Sequence, residues 1–274
     1  MTEKGRKKSH GRTIVKGPRC PILETDIPHL GTYFDVCNSL LRKDASFWFR
    51  GHGDVNWTLT PSALRYGSEN ERNRALSLLR DFKRYGEIKI TNAPGANEEL
   101  NWVQLARHYG LPTRLLDWTK NAAIALYFAC LPPPKGNAAD GAVFILNPVD
   151  LNREADRKTP RVFDAHSDAS RIERYFRLTG RKTANGSKII AIDPIWNSDR
   201  IMLQQGVFTL HGSRDFTLTS QQASSLVAIR IRCKNKQSLL QELERVGINE
   251  MAIFPEPEHT CNYLKWREKL VEDS

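Results

Sequence analysis

"WVQLARHYGLPTRLLDWTKNAAIALYFA", residues 102–129, joins two helical stretches of different character across a break. Gly110 and Pro112 close the first, and Asn97 upstream is a natural N-cap, so a helix is expected from about Glu98 to Tyr109. The second, Asn121 to Cys130, is apolar nearly all round, which is the pattern of a buried helix. Between them lie Thr113-Arg114-Leu115-Leu116-Asp117, then Asp117-Trp118-Thr119 as a polar turn. Two uses of these charges stay open. Arg114 can pair with Asp117 while Asp117 or Thr119 caps the buried helix, or the same groups can face a ligand. Gln104 and His108, four residues apart, share one face of the first helix.

Working outward, residues 25–43 read as a helix with Leu30, Phe34, Cys37 and Leu41 at helical spacing. Residues 46–50 read as a short strand ended by the Gly51/Gly53 turn. The segment 69–87 is an amphipathic helix with Gly86 as its stop. Strands are expected at 141–147, 188–193, 205–210 and 226–232, then a helix at 236–246, a last strand Met251–Phe254 and a C-terminal helix. Helices fill the first half and strands the second. This predicts an α+β single domain with a mixed or antiparallel sheet built mainly from the second half. The division expected is a basic flexible arm over 1–20 and one domain over 21–274.

Composition narrows the class. The 274 residues are 40% hydrophobic and 26% charged, and no apolar run approaches the ~20 residues of a membrane span. The basic N-terminus lacks the apolar core of an export signal, and five scattered cysteines fit free thiols, so a cytoplasmic protein with no membrane partner is expected. Their spacing suggests no metal. The net charge of +10 favours an anionic partner, nucleic acid first. Residues 1–18 hold six Lys/Arg and one acid, and residues 151–188 hold ten and five, so these two stretches are the expected nucleic-acid contacts. Arg171, Arg174 and Arg177 share one side of a helix there. A solvated basic surface is the plainer alternative.

Arg50 follows Phe47-Trp48-Phe49 directly, where a strand would run on into a core. A buried arginine needs something anionic or carbonyl-rich facing it, so Arg50 is either a strand end reaching water or a ligand grip. Phe49-Arg50-Gly51, Trp57, Pro61-Ser62, the block His108 to Thr119, Ala125 to Ala129, Gln204 to Phe208, Gly247-Ile248 and Ile253 to Pro255 together resemble the FRG domain family, over most of residues 30–265.

A more distant similarity in layout is to ADP-ribosyltransferases, which implies an ADP-ribosyltransferase-like fold. It implies that Arg50 grips NAD phosphate and that Asp117-Trp118-Thr119 stands where a Ser-Thr-Ser-like strand would. It also implies that Gln204-Gln205 opens the late strand. The residues it marks are Arg50, His108, Asp117 and Gln205 as catalytic, and Arg50, Gly51, Trp57, Tyr109, Arg114 and Thr119 as NAD-binding. The implied activity is that of a toxin or defence effector moving ADP-ribose from NAD, used as substrate without metal, to nucleic acid or protein, with an antitoxin or regulatory partner. That late strand departs from the pattern, because an acid is expected there. Either a glutamine suffices, or Asp117, Glu256 or Glu258 takes the role, or the domain only binds. A non-catalytic nucleotide- or RNA-binding module stays open, as does a metal-free nuclease using His52, His108 and His211.

Overall fold

The computed structural model describes residues 14–16, 20–41, 45–133, 138–155, 160–176, 188–196, 198–212, 217–221 and 223–268. In chain order, the elements begin with β1 (Ile14–Lys16), β2 (Pro21–Leu23), α1 (Leu30–Leu40), β3 (Trp48–His52), α2 (Glu69–Lys89), α3 (Glu99–His108), β4 (Leu115–Thr119) and α4 (Ala122–Cys130). Next come β5 (Gly141–Leu146), α5 (Pro148–Ala155), β6 (Phe163–Asp164), α6 (Ala169–Phe176), β7 (Ile189–Asp193), α7 (Asp199–Leu203) and β8 (Gly206–His211). The chain closes with β9 (Val227–Ile231), α8 (Cys233–Arg245), α9 (Glu250–Ile253) and α10 (Pro257–Arg267).

All nine described strands form one sheet in the order β1-β2-β9-β5-β3-β4-β8-β7-β6. The β2–β9 and β6–β7 pairs are parallel and the rest antiparallel, so the class is α+β with a mixed sheet. The expected segregation of helices and strands needs correction, because β3 and β4, both from the first half, stand at the centre of the sheet. Residues 115–119, read as a turn, are a central strand. Leu115, Leu116 and Trp118 are buried on its two faces, and that burial overrides the polar look of Asp117 and Thr119. The predicted strand at Met251–Phe254 is instead the helical turn α9, because the Asn249 side chain accepts from the Ala252 amide and caps it.

Strand registers place Phe49, Gly51, Val143, Ile145, Thr119, Asp117, Leu115, Phe208 and Leu210 on one face of the sheet. Two separate apolar clusters cover that face. Around β3, β5 and β9 it packs on α4, with α1 and α8 behind. Around β4, β8 and β7 it packs on α3, α6 and α7 through Leu100, Val103, Ile172 and Ile201. The opposite face, carrying Trp48, Leu116, Trp118, Phe144 and Leu146, is closed by Leu59, Leu151, Leu218 and Leu226.

Two glycines explain how closely α4 lies. A Cβ on Gly51 would come 2.0 Å from the Ala125 carbonyl oxygen, and one on Gly141 would come 2.1 Å from that of Ala129. Both contacts are with the helix backbone, so α4 rests directly on β3 and β5, and Gly51 continues the strand rather than ending it. The all-apolar character of α4 follows, since the sheet takes one side and α8 another. Asn121 caps it, accepting from the amides of Ala123 and Ile124, so neither Asp117 nor Thr119 is the cap.

Gly86 is not a stop either. The helix α2, opened by a capping box of Ser68 and Glu71, runs to Lys89, and Gly86 leaves room for the Trp102 ring of α3, 2.8 Å from where its Cβ would stand. A Lys83–Glu99 ion pair and the edge-on Phe82–Trp102 contact complete that helix pair. Gly110, with φ of +84°, does end α3 as predicted, because the turn there needs the left-handed region. Helix α1 is shorter than predicted at both ends, and α3 starts at Glu99 with Glu98, rather than the expected Asn97, at the cap position.

Candidate functional site

The two central strands barely pair. Along β3, five register positions match β5, and β4 matches β8 at five, but β3 and β4 meet only at Phe49↔Thr119. Beyond that point they diverge, which leaves backbone groups of both strands to be met by side chains. The Arg50 guanidinium fills the gap. Its Nη1 donates to the Asp117 carbonyl at 2.5 Å and stands 3.8 Å from the Asp117 carboxylate, while Nε donates to His52 Nε2 at 2.8 Å. Only 15% of the Arg50 side chain is exposed, so the strand-end reading is wrong: this arginine is held inside the sheet seam.

A cleft of about 390 Å³ opens over this seam, between the two clusters of the covered face. Such a volume is within the range of roughly 300–1,000 Å³ typical of small-molecule sites. Arg50, Gly51, Asp117, Thr119, Gln104, Arg107, His108, Arg200 and Gln204 line it together with Phe49, Ile124, Phe128 and Phe208. Asp117 is gripped from α3. Arg107 Nη2 donates to its Oδ2 at 2.5 Å and Nε to its Oδ1 at 3.3 Å, a two-pronged contact. Burial pushes the Asp117 carboxyl upward, but Arg107 and then Arg50 outweigh it and hold the group at about 2. Burial lowers the Arg50 guanidinium to about 10 despite Asp117, which leaves it charged at neutral pH. Asp117 also raises Arg107.

The end of β4 is clamped to the turn before β8. Thr119 Oγ1 donates to the Gln204 carbonyl at 2.6 Å and accepts from the Asn121 amide at 2.9 Å, and the Lys120 amide donates to the Gln205 carbonyl at 3.0 Å. Arg200 lies at the rim, 4.7 Å over the Phe254 ring and 3.6 Å from Glu256 Oε1. Phe254 in turn stacks on His259 at 4.1 Å, and His259 Nδ1 is 2.6 Å from Glu250 Oε1.

The cleft therefore unites Arg50, Gly51, His108, Asp117 and Thr119 of the predicted set. Gln205 is not among its lining residues. That side chain is exposed, the residue has φ of +46°, and its neighbour Gln204 lines the cleft instead, with Nε2 3.4 Å from the Ile253 carbonyl. Arg114 pairs neither with Asp117 nor with the cleft. It is buried at the far end of β4, donates to the carbonyls of His211 and Tyr175, and is lowered by burial to about 10. Trp57 stands outside, edge-on to His52 at 5.9 Å, and Tyr109 lines a neighbouring depression beside Phe82 and His108. Gly51 serves chiefly the seating of α4.

Two of the cleft's charged side chains, Arg107 and Arg200, escaped the sequence reading, whereas Gln204 was named in it together with Gln205. Arg107 carried a signal, a cation in the last turn of α3 beside His108 and three residues after Gln104. Arg200 carried none, because its place depends on how α7 folds back on β4. Of the basic stretch 151–188, Arg153 pairs with Asp150, Arg161 with Asp168, and Arg171 lies over the Phe163 ring. Arg177, the Arg174 side chain and residues 177–187 lie outside the described residues. In the predicted arm, residues 14–16 form β1 and Cys20 is buried, and residues 1–13 and 17–19 lie outside the described residues. Among the described residues no helix is long and apolar enough to cross a membrane.

The family model of the FRG domain matches residues 45–138, in keeping with the resemblance carried by Phe49-Arg50-Gly51 and the block His108 to Thr119. The match contains β3, α2, α3, β4 and α4, hence Arg50, Gln104, Arg107, His108, Asp117 and Thr119, whereas Arg200 and Gln204 come from beyond it. No curated protein and no solved structure matches the chain.

Proposed function

We propose that the cleft binds NAD and that the protein transfers ADP-ribose from it to a nucleic-acid or protein acceptor. The observation that carries this reading is that Arg50, Arg107 and Arg200 line one cleft with a single carboxylate, beside the apolar side chains of Phe49, Ile124, Phe128 and Phe208. Such a site suits a ligand with a phosphate bridge and flat, uncharged ends. In this reading Asp117 is not the catalytic acid. Bound by Arg107 and kept ionised, it positions Arg50 and Arg107 for the phosphates. Glu256 is the better acid, since its Oε2 is buried without a partner beside Arg200, in a second depression that shares His108 and Arg200 with the cleft. Glu258, with its side chain 79% exposed, is not. The transfer breaks the bond from ribose C1′ to nicotinamide, which leaves with the electron pair. A new bond forms from C1′ to the acceptor, whose proton passes to His108.

Incubation with NAD labelled in its adenylate half tests this. Nicotinamide release with label on an acceptor is expected, falling roughly hundredfold in a folded Arg50→Lys protein, because lysine keeps the charge and loses the planar fork. One observation favours a non-catalytic nucleotide-binding module: Asp117 is the only acid among the described residues lining the cleft, and Arg107 occupies it. Binding of NAD without any turnover decides for that module.

A further inference from the structure

Gln104 stands on α3 one turn before Arg107 and His108, and it lines the cleft with them. Its side chain is buried, at 1% exposure for the residue, and neither Oε1 nor Nε2 has a hydrogen-bond partner. Burying a primary amide with both ends unmet is costly, and an apolar residue would serve the neighbouring core of Leu100 and Val103 better. The terminal torsion of glutamine is soft, so a small rotation turns the amide into the cleft.

We propose that Gln104 is the specificity-determining residue of this cleft, bonding a planar ligand edge that carries an acceptor and a donor side by side. Other chemistries fit worse. A phosphate offers only acceptors, would leave Oε1 unmet, and has Arg50, Arg107 and Arg200 to receive it. A cation would satisfy Oε1 alone and meets repulsion from the same three arginines. An amide-type edge satisfies both atoms at once, as glutamine does with adenine. The carboxamide of nicotinamide and the amino edge of adenine share this chemistry. The inference rests on the nucleotide reading above and adds to it which group enters the floor of the cleft.

Calorimetric titration of wild type, Gln104→Met and Gln104→Leu with NAD, nicotinamide mononucleotide, ADP-ribose, AMP and ribose 5-phosphate tests it. For both variants NAD affinity is expected to fall about tenfold, the worth of one bonded pair. Ribose 5-phosphate, which has no such edge, should change less than about twofold. Loss confined to NAD and the mononucleotide identifies the carboxamide, and loss confined to NAD, ADP-ribose and AMP identifies adenine; either supports the assignment. Equal loss for ribose 5-phosphate would mean that Gln104 only shapes the cleft, and unchanged NAD affinity would remove it from recognition while leaving the nucleotide reading intact. A wild-type protein that binds none of the nucleotides overturns that reading and this inference with it. Melting gives an independent readout. Both apolar variants should melt about 2–4 °C higher than wild type, and a fall in both would show that the amide has a structural partner.

Discussion

Strand β3 has two edges, and they do opposite things. Toward β5 it is paired along its full length and roofed by α4, whose backbone touches it through the bare Cα of Gly51. Toward β4 it pairs once and then parts, and the gap holds an arginine, a two-pronged ion pair and a cleft. The same five residues thus serve close packing on one side and polar chemistry on the other. The difference lies in the partner rather than in the strand. The β5 side offers Val143 and Ile145, which need nothing but contact, whereas the β4 side offers a charge and a carbonyl that must be answered.

The sharpest way to break this comparison is Gly51→Ala. The new methyl would meet the Ala125 carbonyl at 2.0 Å, and no side-chain rotation relieves a clash with helix backbone. Equilibrium denaturation should show a loss of about 3–5 kcal/mol or failure to fold. A near-neutral result would show that α4 can lift from the sheet. Arg107→Met acts on the other edge and should be milder for the fold. Because the Asp117 side chain is 38% exposed, water can answer part of the lost contact, and a loss of about 1–2 kcal/mol is expected. Its larger mark should be on the cleft, which loses one of its three guanidinium groups while the Asp117 carboxylate beside Arg50 loses its two-pronged hold. On the NAD reading proposed above, affinity in a titration should fall roughly tenfold or more.

Acid titration sharpens the same edge. The Asp117 carboxyl is depressed to about 2 in the folded protein against about 3.9 in an open chain, so its contribution is complete above pH ~4 and fades as pH falls toward 2. Asp117→Asn should flatten that part of the stability curve measured by urea unfolding between pH 2 and 5. An unchanged slope would place the acid sensitivity in other carboxylates. The smallest effect expected is at Gln205, whose φ of +46° is strained for a side chain. Gln205→Gly should raise stability by about 0.5–1 kcal/mol, and a loss would mean that the side chain contributes more than its backbone strain removes.

Legibility in the sequence followed the same divide between the two edges. The all-apolar helix α4, the capped α2 and the buried strands β5 and β8 are visible because burial leaves a pattern in residue types. Strand β4 has the look of a turn in sequence because its middle carries Asp117 and its end Thr119, the two positions given over to the seam. Arg50 and Asp117 were found together because each sits out of keeping with its neighbours. Their charged companions Arg107 and Arg200 look like ordinary surface residues until α3 and α7 are folded against β4 and β8. Arg114 misled for the complementary reason, since a buried guanidinium serving the carbonyls of Tyr175 and His211 looks in sequence like a ligand contact.

The order of strands also bears on how the molecule comes together. Leu115 is laddered to Leu210 beside the centre of the sheet, and Ile22 to Ala228 nearer its edge, so ladders in both places join segments remote along the chain. Closing such wide loops precedes any reward from the contacts they bring, and folding is expected to be slow for this size. On a ribosome, β3, α3 and β4 emerge well before β8 does. Until β8 arrives, β4 has a single register match with β3 as its whole share of the sheet, and the seam that holds Arg50 is open on one side. The cleft is thus a late product of synthesis, and a nascent chain remains without it until β8 has been made.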